Sequence, residues 1–262
     1  MDLVVNGARA FAATGGRPFD PALPAVVFVH GAGVDHAAWA LQTRHFAHHG
    51  RTVLAVDLPA HGGSGGTPLA TIPAMADWVV ALLDAAGVER AALVGFSMGS
   101  LIALDAAARF PRRVRALAVM GVARRLAVHP DLLAAAEAND HKAIELILSW
   151  AFAGRGNLGG HHAPGLWMKG ATARLFERAR PGVLGVDLRA CNDYEGAAEA
   201  AARVRCPTLV LWGDKDRMAP PKEAAALAQA IPGARVRALP GVGHLPMMEE
   251  PIAVTEALKE IL

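Results

Sequence analysis

The chain has 262 residues, of which 53% are apolar and 19% charged: enough to bury one substantial core, and too apolar for a disordered, solvating polymer. The balance of 26 Lys+Arg against 24 Asp+Glu leaves a formal charge of +2 with no concentrated basic run, which argues against a nucleic-acid or anionic-membrane surface. Two cysteines, Cys191 and Cys206, exclude a disulfide-built fold and a cysteine zinc site.

From the N-terminus, Met1 to Gly7 carries no basic segment leading into an apolar run, and no stretch reaches about 18 uninterrupted apolar residues. The expectation is a soluble, cytoplasmic protein. Residues 3–6 and 8–13 read as a short antiparallel start. Apolar, β-branched runs at 25–30, 52–57, 91–96 and 115–120 follow, and two more come late, at 208–212 and 235–239. Short runs of this kind, bounded by Gly and Pro, suit strands buried on both faces. Between them, 37–49, 72–86 and 101–110 show helical periodicity, as do 222–230 and 252–262 near the end. Such alternation predicts a parallel sheet covered on both faces. From 123 to 202 no strand pattern occurs. Helical patterns at 131–152, 166–178 and 197–202 surround a glycine-rich loop at 154–165. The expected organisation is a discontinuous core, 1–122 and 203–262, with a helical cap at 123–202 over the C-terminal edge of the sheet.

Chemistry concentrates at Gly95-Phe96-Ser97-Met98-Gly99, which follows a strand pattern and opens a helical one. This is a G-x-S-x-G nucleophile elbow in the strand–turn–helix setting that it requires. The backbone at Ser97 must enter a strained conformation, so the positions two before and two after it must be small. A serine hydroxyl is a weak nucleophile and needs a base, and the base needs an orienting acid. For this elbow the chain order is serine, acid, histidine. Of the eleven histidines, only His244 follows the late strand and its acids, in the flexible loop Gly241-Val242-Gly243-His244. The acid is expected at the end of the 208–212 strand, where Asp214 and Asp216 compete. Asp216 lies deeper in the loop, whereas Asp214 beside Gly213 suits a turn cap. Backbone N–H groups must also hold the developing oxyanion. Met98, next to the nucleophile, is one donor, and Ala32 in the loop His30-Gly31-Ala32-Gly33 is the other.

With these pieces in order, the chain resembles the α/β-hydrolase fold enzymes, and the resemblance covers essentially its whole length. The matching segments are His30-Gly31-Ala32-Gly33 with Trp39, Asp57-Leu58-Pro59-Ala60-His61-Gly62-Gly63-Ser64, the elbow, Gly213-Asp214-Lys215-Asp216 with Pro220, and Gly243-His244 with Glu250-Pro251. The resemblance implies an α/β fold: a mostly parallel eight-stranded sheet with helices on both faces and an inserted helical cap. It implies Ser97 as nucleophile, Asp216 as acid, His244 as base, and Ala32 and Met98 as oxyanion donors. The implied reaction is cleavage of a carboxylic ester or lactone, as in the esterase and enol-lactonase branch, without cofactor or metal. Ser97 excludes the dehalogenase and epoxide-hydrolase branches, which place aspartate at the elbow. Carbon–carbon bond hydrolysis, acyl transfer and cofactor-free perhydrolysis use the same triad and stay open, as does a receptor that binds a small ligand without turnover. The expected partner is a small ester or lactone, with no nucleic acid and no membrane; a homo-oligomer is open.

Further residues are weighed as pocket contacts: Trp150, Trp167 and Met168 as an apolar roof, His61 at the rim, and Arg124 and Arg125 near the mouth, able to grip a substrate carboxylate. For each, packing or solvent exposure is the competing reading. Gly31 and Gly33 after a strand imitate half of a dinucleotide fingerprint, but His36 stands where the third glycine belongs. The pairs His48-His49 and His161-His162 lack a carboxylate at ligand spacing.

Overall fold

The structure, a computed structural model, describes residues 1–157 and 167–262. The glycine-rich stretch singled out at 154–165, and His161-His162 with it, falls mostly outside the described residues.

The strands are β1 (Asp2–Val5), β2 (Ala8–Ala13), β3 (Ala25–Val29), β4 (Thr52–Val56), β5 (Ala91–Phe96), β6 (Val114–Met120), β7 (Thr208–Gly213) and β8 (Arg235–Leu239). They form one sheet in the order β1-β2-β4-β3-β5-β6-β7-β8. β2 pairs antiparallel with β1 and β4, and every later pairing is parallel. The sequence pattern explains the two-sided burial. In β3 and β4, Val27, Val29, Leu54 and Val56 pack on one face with Leu82, Leu83, Leu101 and Ile102. The alternating residues Val26, Phe28, Val53 and Ala55 pack on the other with Trp39, Phe46, Val254 and Leu258. β8 departs from the expected burial. It is the sheet edge, exposed along Arg235–Ala238, and its arginines discourage pairing with another chain.

A 3₁₀ turn (His36–Trp39) leads into α1 (Ala40–Ala47), so the segment predicted as one helix over 37–49 is two pieces. α2 (Ile72–Ala85) starts at Thr71, whose hydroxyl accepts from Ala74 N–H. α3 (Met98–Arg109) begins directly after Ser97. Between β6 and β7 every described element is helical: α4 (Pro130–Glu137), α5 (Lys142–Ala151), α6 (Gly154–Asn157), α7 (Met168–Glu177), α8 (Val183–Asp193) and α9 (Ala197–Arg203). The helix predicted over 131–152 is broken at Asn139, whose φ is 54°, and α5 restarts where Asp140 accepts from Lys142 N–H. α10 (Pro221–Ala230), α11 (Pro246–Glu249) and α12 (Pro251–Lys259) complete the chain. The strand order reverses at β3, so the loops after β3 and β5 open side by side. This is the crevice where ligands bind in open α/β sheets.

Candidate active site

Ser97 stands between β5 and α3 at φ 52°, ψ −118°, a conformation costly for any residue with a side chain. Two glycines make it attainable. A Cβ on Gly95 would lie 2.2 Å from the Gly99 carbonyl oxygen, and one on Gly99 would lie 2.2 Å from the Val29 carbonyl oxygen. Ser97 N–H donates to Met120 O at 2.9 Å, and the Ser100 hydroxyl donates to the same oxygen at 2.8 Å. The turn is thereby fastened to the end of β6.

Ser97 Oγ lies 3.1 Å from His244 Nε2, and His244 Nδ1 lies 2.9 Å from Asp216 Oδ2. A carboxylate only accepts, so Nδ1 carries the proton and Nε2 is left to accept from the serine hydroxyl. Asp216 is held in turn: its Oδ1 accepts from Met218 and Ala219 N–H, each at 2.8 Å. His244 is fixed through its backbone, whose N–H donates to Ala151 O at 2.7 Å, and through its ring against Phe96. Asp214, the competing acid, is exposed and accepts from Gly241 N–H at 2.7 Å, bracing the loops after β7 and β8.

Ala32 and Ser97 share a cleft of about 390 Å³. Its walls come from the loop after β6 (Leu126, Val128), from Leu132 and Trp150, and from Leu188 and Cys191 on α8. Met98 is fully buried at the first position of α3, where helix N–H groups have no intrahelical acceptor. Among the described residues Ala32 N–H makes no hydrogen bond. The peptide that bears it is held from behind. His30 Nδ1–H donates to Gly31 O at 2.8 Å while His30 Nε2 accepts from Leu58 N–H at 3.2 Å. Burial and the neighbouring His61 lower the His30 pKa to about 4, so this ring is neutral, as the two bonds require.

Several expected contacts lie elsewhere. Trp150 does line the cleft, tilted against His129 with ring centroids 5.3 Å apart. Trp167 is 65% exposed and lies over Gly170 at the start of its own helix. Met168 is buried in the core among apolar side chains, away from the cleft walls. His61 is also buried and spends both ring nitrogens on protein acceptors, Pro59 O and Asp187 Oδ2. Arg124 and Arg125 pair with Glu223 and Glu195 instead of facing the cleft. Asp35, His36 and Asp57 bring three ligand-type atoms within 4.8 Å. Asp57 is already engaged by His36 and by Gly63 N–H, and Asp35 by Arg178.

Sequence reasoning passed over four residues. Arg217 and His129 line the cleft; neither belongs to a motif, although Arg217 directly follows Asp216. Glu249 is buried and accepts from Gly243 N–H at 2.9 Å and Ala153 N–H at 3.1 Å; its one signal was an acid after Pro246-Met247-Met248. Asp187 is buried in α8, a helix whose Gly185 and Asp187 disguise its periodicity.

The chain is similar to known proteins. The profile of the α/β hydrolase fold family matches residues 24–251. The chain belongs to the α/β-hydrolase family. Within it, the chain is 31% identical over 260 residues to a pimeloyl-[acyl-carrier protein] methyl ester esterase of Chromobacterium violaceum, covering 91% of this chain and 94% of that protein. It is 30% identical over 247 residues to the dihydrolipoyllysine-residue acetyltransferase component of the acetoin cleaving system of Cupriavidus necator, covering 90% of this chain but 63% of that longer protein. The enol-lactonase of Burkholderia xenovorans LB400 shares the fold with a TM-score of 0.87 at 24% identity, over 100% of this chain and 99% of that one. Among the described residues of this chain no helix is long and apolar enough to cross a membrane.

Proposed function

We propose that the protein hydrolyses a small carboxylic ester or lactone through an acyl-enzyme on Ser97. The observation that carries this reading is the hydrogen-bonded line from Ser97 Oγ through His244 to Asp216, opening into an apolar cleft. Ser97 Oγ attacks the carbonyl carbon as His244 Nε2 takes its proton. Charge gathers on the carbonyl oxygen, which the N–H groups of Ala32 and Met98 stabilise. When the carbon–oxygen bond to the leaving group breaks, His244 returns the proton to the departing alkoxide. Water then attacks the acyl-enzyme, His244 takes a proton from it, and Ser97 is restored with release of the acid. Asp216 holds the imidazole in the tautomer that accepts from Ser97 and offsets its positive charge.

The substrates that two relatives are named for, a methyl ester on an acyl-carrier protein and an enol lactone, are both carboxylic esters, which favours this class. A cleft of about 390 Å³ with mostly apolar walls suits a short acyl or lactone ring. A fluorophosphonate probe tests the assignment without knowledge of the substrate. The expected result is one equivalent of phosphonate on the peptide that carries Ser97, and none in Ser97→Ala. Labelling at another residue, or equal labelling of Ser97→Ala, contradicts it.

A further inference from the structure

We propose that Asp187, a residue of the helical segment between β6 and β7, is a positioning residue for the oxyanion hole, acting as a buried pair with His61. The inference rests on the serine-hydrolase reading above and goes beyond it, because it makes the helical insert part of the catalytic apparatus as well as a wall of the cleft.

Asp187 Oδ2 accepts from Gly33 N–H at 2.8 Å and from His61 Nε2–H at 2.8 Å. The residue is fully buried, and its Oδ1 has no hydrogen-bond partner among the described residues, so its hold on the core runs through one oxygen. His61 donates from its other nitrogen, Nδ1, to Pro59 O at 3.0 Å. A ring that donates from both nitrogens is an imidazolium. Burial works against that charge, but the Asp187 carboxylate outweighs it and raises the His61 pKa. Each partner thereby neutralises a charge that would be very costly alone.

The consequence concerns Ala32. Two peptide groups meet at its Cα. The first, Gly31–Ala32, bears the proposed oxyanion donor and is held by the His30 ring at its carbonyl. Carbonyl and N–H point in opposite directions across a trans peptide, so fixing one aims the other. The second peptide, Ala32–Gly33, is held at its N–H by Asp187. Gly33 sits at φ 67°, where glycine turns freely and other residues do not, so on its Gly33 side the backbone itself restrains this peptide little. The restraint comes from α8. Leu184 and Phe176, both of the insert, pack on the same glycine from outside, and His61 lies tilted against His30 with ring centroids 4.7 Å apart. The two clamps on the loop are therefore in contact with each other.

The test uses the full chain with Asp187→Ala, Asp187→Asn and the double variant His61→Leu/Asp187→Leu. Three readouts are compared: kcat and KM on a p-nitrophenyl ester, the rate of Ser97 phosphonylation by a fluorophosphonate, and the inhibition constant of a trifluoromethyl ketone, whose adduct places an oxyanion in the hole. Asp187→Ala should lower kcat by about tenfold to a hundredfold with KM within about threefold, because the loss falls on the transition state. Phosphonylation and ketone affinity should fall in step with kcat. Asp187→Asn, whose amide oxygen can still accept from Gly33 N–H, should recover most of the loss. Removing one partner of a buried ion pair can prevent folding; the double variant replaces both with apolar side chains, a change that cores tolerate better. It should fold and still show the kcat loss. A folded double variant with native kcat and ketone affinity would overturn the proposal, as would equal losses in Asp187→Asn and Asp187→Ala. Ser97→Ala, run in parallel, separates the two ideas: retained turnover there removes the serine mechanism itself, whereas a dead Ser97→Ala beside a fully active double variant removes only the role of Asp187.

Discussion

At Glu249 a buried carboxylate bridges Gly243 N–H, beside the proposed base, and Ala153 N–H, just past α5. Burial, together with the nearby charge of Asp216, pushes its pKa up to about 7, even though the backbone donors favour the ionised form. The folded chain therefore binds this proton more tightly than the unfolded chain, whose glutamate titrates near 4.5. The resulting contribution to stability is complete below that value and is lost as pH rises through about 7. His30 works in the opposite sense. Its folded pKa of about 4 contributes stability that is present above 6.5 and lost as pH falls toward 4. In a comparison of the native chain with Glu249→Gln the His30 contribution is common and cancels. From about pH 4 to about pH 8, the variant should gain roughly 3 kcal/mol relative to native, at about 1.4 kcal/mol for each tenfold change in proton affinity. Urea unfolding at the two pH values measures this, and a difference independent of pH contradicts it. Legibility divides along the same line. Ser97, Asp216 and His244 stood out because the elbow needs small neighbours and a fixed chain order. Glu249 and Asp187 act on backbone groups of distant loops, and nothing local in the sequence records such a bond.

Among the elements, the strands were easiest to read, since uninterrupted β-branched runs have few alternatives. The helices between β6 and β7 were harder. The break at Asn139 depends on a left-handed residue that a periodicity count passes over. α8 went unread because it sets Gly185 against the Ala136 backbone and points Asp187 inward, both against helical pattern rules. The same elements shape the cleft unevenly. α5 contributes Trp150 to its wall, whereas Trp167 before α7 faces solvent. Shortening the first should therefore change substrate size preference and shortening the second should not. For p-nitrophenyl esters of increasing acyl length, Trp150→Ala should favour longer chains, with kcat/KM for the longest over the shortest rising about tenfold. Trp167→Ala should keep the native profile within about twofold. A shifted profile in Trp167→Ala, or an unshifted one in Trp150→Ala, contradicts this assignment of the wall.

Across the whole molecule, one mostly parallel sheet with a core on each face brings remote segments to one end. The loops after β3, β5, β7 and β8 supply Ala32, Ser97, Asp216 and His244, and residues of the segment after β6 line the cleft beside Ala32, Ser97 and His244. The fold was legible because every strand–helix alternation agreed with it. The contacts between insert and core were not, because they join residues as far apart as Gly33 and Asp187. The central claim is that Ser97 is the nucleophile of an ester hydrolase, and its most direct test is kcat/KM on a short p-nitrophenyl ester for the native chain and for Ser97→Ala. The account predicts a loss of about a thousandfold or more in the variant, with unchanged unfolding behaviour. Turnover within a few-fold of native in folded Ser97→Ala would contradict it.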